Sequence, residues 1–82
     1  DLGFNQINSI PIELFNLINL KLLNLKYNQI EIIPFEIVKL FKLENLSLNN
    51  NKIKKLPIEI GNLINLYYLD LSCNVISIID NN

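Results

Sequence analysis

With 82 residues, half of them apolar, the chain has room for one small domain and too much hydrophobicity for disorder. Seven basic residues against eight acidic ones leave a net charge of -1, with no basic excess to hold nucleic acid and no acidic tail. No apolar run reaches the roughly 18 residues of a membrane span, and one cysteine with no histidine excludes an internal disulfide framework.

The first 19 residues contain Leu2, Asn5, Ile7, Ile10, Pro11, Glu13, Leu14 and Leu17 in order. The same types return 23 positions later as Leu25, Asn28, Ile30, Ile33, Pro34, Glu36, Ile37 and Leu40. They return again as Leu48, Asn51, Ile53, Leu56, Pro57, Glu59, Ile60 and Leu63. Leu20, Leu43 and Leu66 open the units, and Leu23, Leu46 and Leu69 follow three residues on. The chain therefore divides into a partial repeat 1–19, full repeats 20–42 and 43–65, and a partial repeat 66–82. Within Asn49-Asn50-Asn51 the period keeps Asn51, which aligns with Asn5, Asn28 and Asn74. Its two neighbours vary, through Gly3, Lys26, Asn49, Ser72 and through Phe4, Tyr27, Asn50, Cys73.

Each part of the unit has a physical role. Leu23-Asn24-Leu25 has a period of two and predicts a short strand with its leucines inward. Such strands stack in parallel and line a concave face. The asparagine ends the strand at a buried turn, where its amide both donates and accepts and so joins adjacent turns in a column. Pro34 is expected at the first position of a helical turn, with Glu36 in that turn and Ile37 and Leu40 facing the core. Glu13, Glu36 and Glu59 form an outer row with no acid–base partner, a structural feature and not a catalytic one.

The unit L-x-x-L-x-L-x-x-N-x-I-x-x-I-P-x-E-I-x-x-L-x-x resembles the leucine-rich repeat, and its 23-residue length and Pro-x-Glu half resemble the intracellular, Ras-suppressor-like and Scribble-like class. The resemblance implies an α/β solenoid, curved, with a parallel β-sheet on the concave face and short helical or irregular convex segments. It implies signalling partners by analogy alone. The chain starts within a strand, lacks an initial methionine and shows neither a signal peptide nor polar caps. It is read as a segment of a longer protein, fraying at its first few residues and after about Ile79. The lone Cys73 suggests a reducing, cytoplasmic setting.

Function on such a scaffold falls to residues the repeat does not fix. On the concave side these are Leu22, Asn24, Lys26 and Tyr27, then Asn45, Ser47, Asn49 and Asn50, then Tyr68, Asp70, Ser72 and Cys73. Tyr68 is the expected anchor for a protein partner and Tyr27 the second, with Asp70, Asn45, Ser47, Lys26 and Asn24 around them. The convex side carries two apolar columns, Ile12, Phe35, Ile58 and Ile18, Phe41, Ile64. They are read first as tucked partly into the core or as a product of AT-rich coding, with self-association, there or end to end, as the alternative.

Other signals are weaker. Lys52, Lys54 and Lys55 read as a solvated face, and Asn45-Leu46-Ser47 matches the N-x-S glycosylation pattern by chance. Cys73 has no histidine to activate it, no metal-ligand set exists, and two glycines in the whole chain leave no phosphate-binding loop or cofactor motif. The expected function is a protein–protein interaction module or scaffold segment without catalysis of its own. The alternatives are the targeting repeats of a larger enzyme and a structural spacer. CCR4-type deadenylases have similar repeats, as in Phe35-Glu36-Ile37 followed by Lys39-Leu40-Phe41.

Overall fold

The computed structural model describes residue 3 and residues 5–76. Fraying at the first few residues and beyond Ile79, and the column members Leu2, Phe4 and Ile79, lie outside the described residues. Three strands, β1 (Leu22–Asn24), β2 (Asn45–Ser47) and β3 (Tyr68–Asp70), form one parallel sheet in the order β1-β2-β3. Leu23 pairs with Leu46 and Leu46 with Leu69, so the register follows the sequence period residue for residue. The ladder runs past the strand ends, with Leu25 N–H on Ser47 O at 2.8 Å and Tyr27 N–H on Asn49 O at 2.9 Å. Leu48 N–H on Asp70 O and Asn50 N–H on Ser72 O repeat both bonds one unit later.

The return segments are 3-10 helices, Ile12–Asn16, Phe35–Lys39 and Ile58–Asn62. Their apolar positions explain the helix type. Leu14, Leu17 and Leu20 stand three apart, as do Ile37, Leu40, Leu43 and Ile60, Leu63, Leu66. A 3-10 helix has three residues per turn, so that spacing makes one apolar edge. Hydrogen bonds in steps of three follow the same path, from Ile37 N–H to Pro34 O, Leu40 N–H to Ile37 O and Leu43 N–H to Leu40 O. The prolines differ from expectation. Pro11, Pro34 and Pro57 precede the helices as caps, with extended ψ near 133, 157 and 146, and are not the first helical residues. The ring fixes φ while the proline carbonyl accepts the first helical bond, so the turn starts one residue later. Glu36 still occupies the first turn, as do Glu13 and Glu59 in theirs.

The core lies between sheet and helices. Leu43, Leu46, Leu48 and Ile53 of the middle unit are fully buried, as are Ile37 and Leu40. Column membership does not give equal burial. Leu17 is 55 % exposed and Leu69 38 % exposed, because each has a described neighbouring unit on one side only. Phe15 is buried although its column continues as Val38 and Gly61, so it belongs to no repeated apolar position.

The asparagine column is what binds the turns together. Asn51 Nδ2 donates to Leu48 O of its own unit and to Leu25 O of the preceding one, both at 3.0 Å. Its Oδ1 accepts Ile30 N–H at 3.0 Å. Asn74 repeats the pattern on Leu71 O, Leu48 O and Ile53 N–H, and Asn28 makes the equivalent bonds to Leu25 O and Ile7 N–H. Asn28 and Asn51 are buried, and no buried side-chain nitrogen or oxygen among the described residues lacks a partner.

The residue before each asparagine is constrained by its backbone. Tyr27, Asn50 and Cys73 have φ of 58, 61 and 59, the left-handed region. This column is therefore not free, as its varied side chains suggest. The chain must reverse there, and at Tyr27 and Asn50 the N–H stays on the neighbouring unit's carbonyl. Asparagine suits that conformation, and other non-glycine residues pay about 1–2 kcal/mol.

Three substitutions test these assignments. Asn51→Ala should lower unfolding free energy by ~3 kcal/mol in urea titration, because Ile30 N–H loses its partner and two carbonyls each lose a donor. Asn49→Ala should stay within about 0.5 kcal/mol. Cys73→Asn should raise stability by about 0.5–1 kcal/mol by relieving the left-handed backbone.

Candidate functional site

The pairing register turns the unfixed residues into rows across the concave sheet. The first row is Leu22, Asn45, Tyr68 and the second is Asn24, Ser47, Asp70. Lys26, Asn49 and Ser72 follow at the strand exits. Leu22 and Tyr68 are exposed, while Asn45, Ser47, Asn24, Lys26 and Asp70 are half-buried. Five of the seven expected contact residues (Asn24, Asn45, Ser47, Tyr68 and Asp70) thus lie in the two paired rows. Lys26 lies just beyond β1. Tyr27 is exposed and stands in the left-handed turn beyond β1, outside the two paired rows.

Asp70 has a built environment that its sequence position does not reveal. Its Oδ1 accepts the Ser72 hydroxyl at 2.7 Å and the Ser72 N–H at 3.0 Å. Tyr68 hydroxyl reaches Oδ2 at 3.4 Å. The Ser72 hydroxyl and then its N–H hold the Asp70 carboxyl below the ordinary aspartate range; partial burial opposes this and Tyr68 adds to it. Asn24 makes the same backbone contact in β1, its Oδ1 accepting Lys26 N–H at 3.2 Å. Removing the Asp70 side chain would therefore leave Ser72 N–H without its acceptor. Asp70 closes the strand exit, and an asparagine can do the same.

Tyr67, 76 % exposed beside Tyr68, was not among the expected contacts. The column Lys21, Glu44, Tyr67 carries the signal, since none of the three is aliphatic like the core columns around it. On the convex side the partial tucking expected of the apolar columns holds in the first two units and fails in the third. Ile12, Phe35, Ile18 and Phe41 are about half exposed, whereas Ile58 and Ile64 are 88 % and 85 % exposed. Lys54 faces Glu31 at 3.9 Å as an exposed pair, worth little in water. A shallow depression along Asn16–Leu20 contains no titratable group. Among the described residues no three His, Cys, Asp or Glu side chains converge on a metal position, and no helix is long and apolar enough to cross a membrane.

A family model described as Leucine rich repeat matches residues 1–53. An LRR protein of Leptospira interrogans is similar in structure at 47% identity and a TM-score of 0.85, over 88% of this chain and 18% of that one. The plant peptide hormone receptor RGFR1, solved in complex with RGF2, is similar at 43% identity and a TM-score of 0.78, over 85% of this chain and 12% of that one. The chain spans less than a fifth of either protein. No curated protein sequence matches it.

The Asp70 contacts give a pH signature. A native pKa below the unfolded value means the group's stabilisation is complete above the ordinary aspartate range and is lost as pH falls through the native value. NMR titration of the Asp70 carboxyl should place its midpoint below that of a free aspartate. Ser72→Ala should move the midpoint up, and Tyr68→Phe should move it less.

Proposed function

We propose that this chain, which belongs to the leucine-rich repeat family, binds a protein partner along its concave sheet. The observation that carries the reading is the paired row Leu22, Asn45, Tyr68, which presents two exposed apolar side chains beside the polar row ending in Asp70. An exposed tyrosine on a rigid strand offers contact area at low entropy cost, and short amides and hydroxyls beside it supply hydrogen bonds. Repeats of this family commonly serve protein–protein contact, and the complex of RGFR1 with RGF2 is one instance among structural relatives. The unit length and the Pro-x-Glu return segment support placement with the intracellular, Ras-suppressor-like class. The single exposed Cys73 supports a reducing compartment such as the cytoplasm. The competing surface is convex, where Ile58 and Ile64 are nearly fully exposed.

Affinity capture with paired baits tests the reading. A bait carrying Tyr68→Ala, Asn45→Ala and Asp70→Asn keeps an acceptor for Ser72 N–H and should fold like the parent by circular dichroism. Partner recovery should fall at least about tenfold, since loss of one tyrosine anchor alone commonly exceeds ~1.4 kcal/mol. Undiminished recovery would reject the concave face. Ile58→Ser with Ile64→Ser would then be the informative bait.

A further inference from the structure

We propose that Tyr68 and Asp70 form a subsite for the side chain of an arginine or lysine in an extended partner segment, a reading that rests on the concave-face assignment above. Asp70 is the one charged residue within β1, β2 and β3. Its neighbours in the paired row, Asn24 and Ser47, are neutral. Lys26 stands at the far side of the sheet, two strand spacings or ~10 Å away. The carboxylate is thus a localised negative charge on an otherwise neutral strand surface.

The carboxylate is also oriented before any partner arrives. Ser72 occupies Oδ1 with two donors, at 2.7 and 3.0 Å. Oδ2 receives one long contact, the Tyr68 hydroxyl at 3.4 Å, so it retains acceptor capacity. Tyr68 is 45 % exposed and leaves ring surface for a cation to cover. The aliphatic stem of a long basic side chain can lie along the exposed Tyr68 ring, with the Asn45 amide next in the row as a further hydrogen-bonding group. A metal cation does not fit. One carboxylate with one committed oxygen falls far short of the six to eight oxygens calcium takes.

The test uses the whole 82-residue chain, isotope-labelled, titrated with acetyl-Gly-Ser-Arg-Ser-Gly-amide and with the same peptide carrying citrulline in place of arginine. Citrulline keeps the shape and loses the charge. The expected result is saturable amide shifts at Tyr68, Asp70 and Ser72 with arginine and about tenfold weaker binding with citrulline. Asp70→Asn should remove the preference while Ser72 N–H keeps its acceptor and the spectrum stays folded. Equal binding of both peptides at these residues would overturn the cation subsite and leave the concave face standing. Shifts confined to Phe35, Phe41, Ile58 and Ile64 would overturn both. No shift at any residue would overturn the subsite, with paired-bait capture still deciding the face.

Discussion

The asparagine amide that reaches two turns at once is the contact on which the rest of the structure depends. A solenoid unit of this length has too little apolar surface to fold alone, and it shares its core with the units beside it. Hydrophobic stacking by itself does not set the distance or the rotation between units. Leu25 O and Leu48 O each receive two amide protons, one from the asparagine of their own unit and one from the next. That pair of hydrogen bonds to each carbonyl fixes the step. With the step fixed, Leu23, Leu46 and Leu69 fall into register, and so do the outward rows of the sheet.

The second row shows how a charged group enters without disturbing this frame. Asn24 and Asp70 perform the same local task, each accepting the N–H two residues on. The position needs an oxygen at that place and is indifferent to charge. Exchange of amide for carboxylate adds a negative group to the concave face at no cost to the strand exit. Ser72, whose hydroxyl also binds the carboxylate, makes the charged form the favoured one. The folding constraint uses Oδ1, and Oδ2 carries only the long contact from the Tyr68 hydroxyl.

What could be read from the sequence follows from what repeats. Burial selects side chains, so Leu43, Leu46, Leu48 and Ile53 announced the core by period alone, and Asn51 stood out from its two asparagine neighbours in the same way. The left-handed column was hidden because its constraint acts on the backbone, and Tyr27, Asn50 and Cys73 share no side-chain property. Phe15 was hidden because it fills the core at a position where later units have Val38 and Gly61. The proline was displaced by one residue because its carbonyl, not its ring, begins the 3-10 turn. At the candidate site the exposed rows were legible as the positions the repeat leaves open. The tie between Asp70 and Ser72 was not, since it depends on side-chain geometry within a single unit.

The side-chain bonds that the asparagine column makes between units point one way. Asn28, Asn51 and Asn74 accept from Ile7, Ile30 and Ile53, each in the unit before. Asn51 and Asn74 also donate backward, to Leu25 and Leu48. The turn N–H groups of Ile7, Ile30 and Ile53 are therefore satisfied by the asparagine of the unit that follows. During synthesis from the N-terminus, each turn must wait for the asparagine of the following 23 residues to leave the ribosome before its last backbone groups are satisfied.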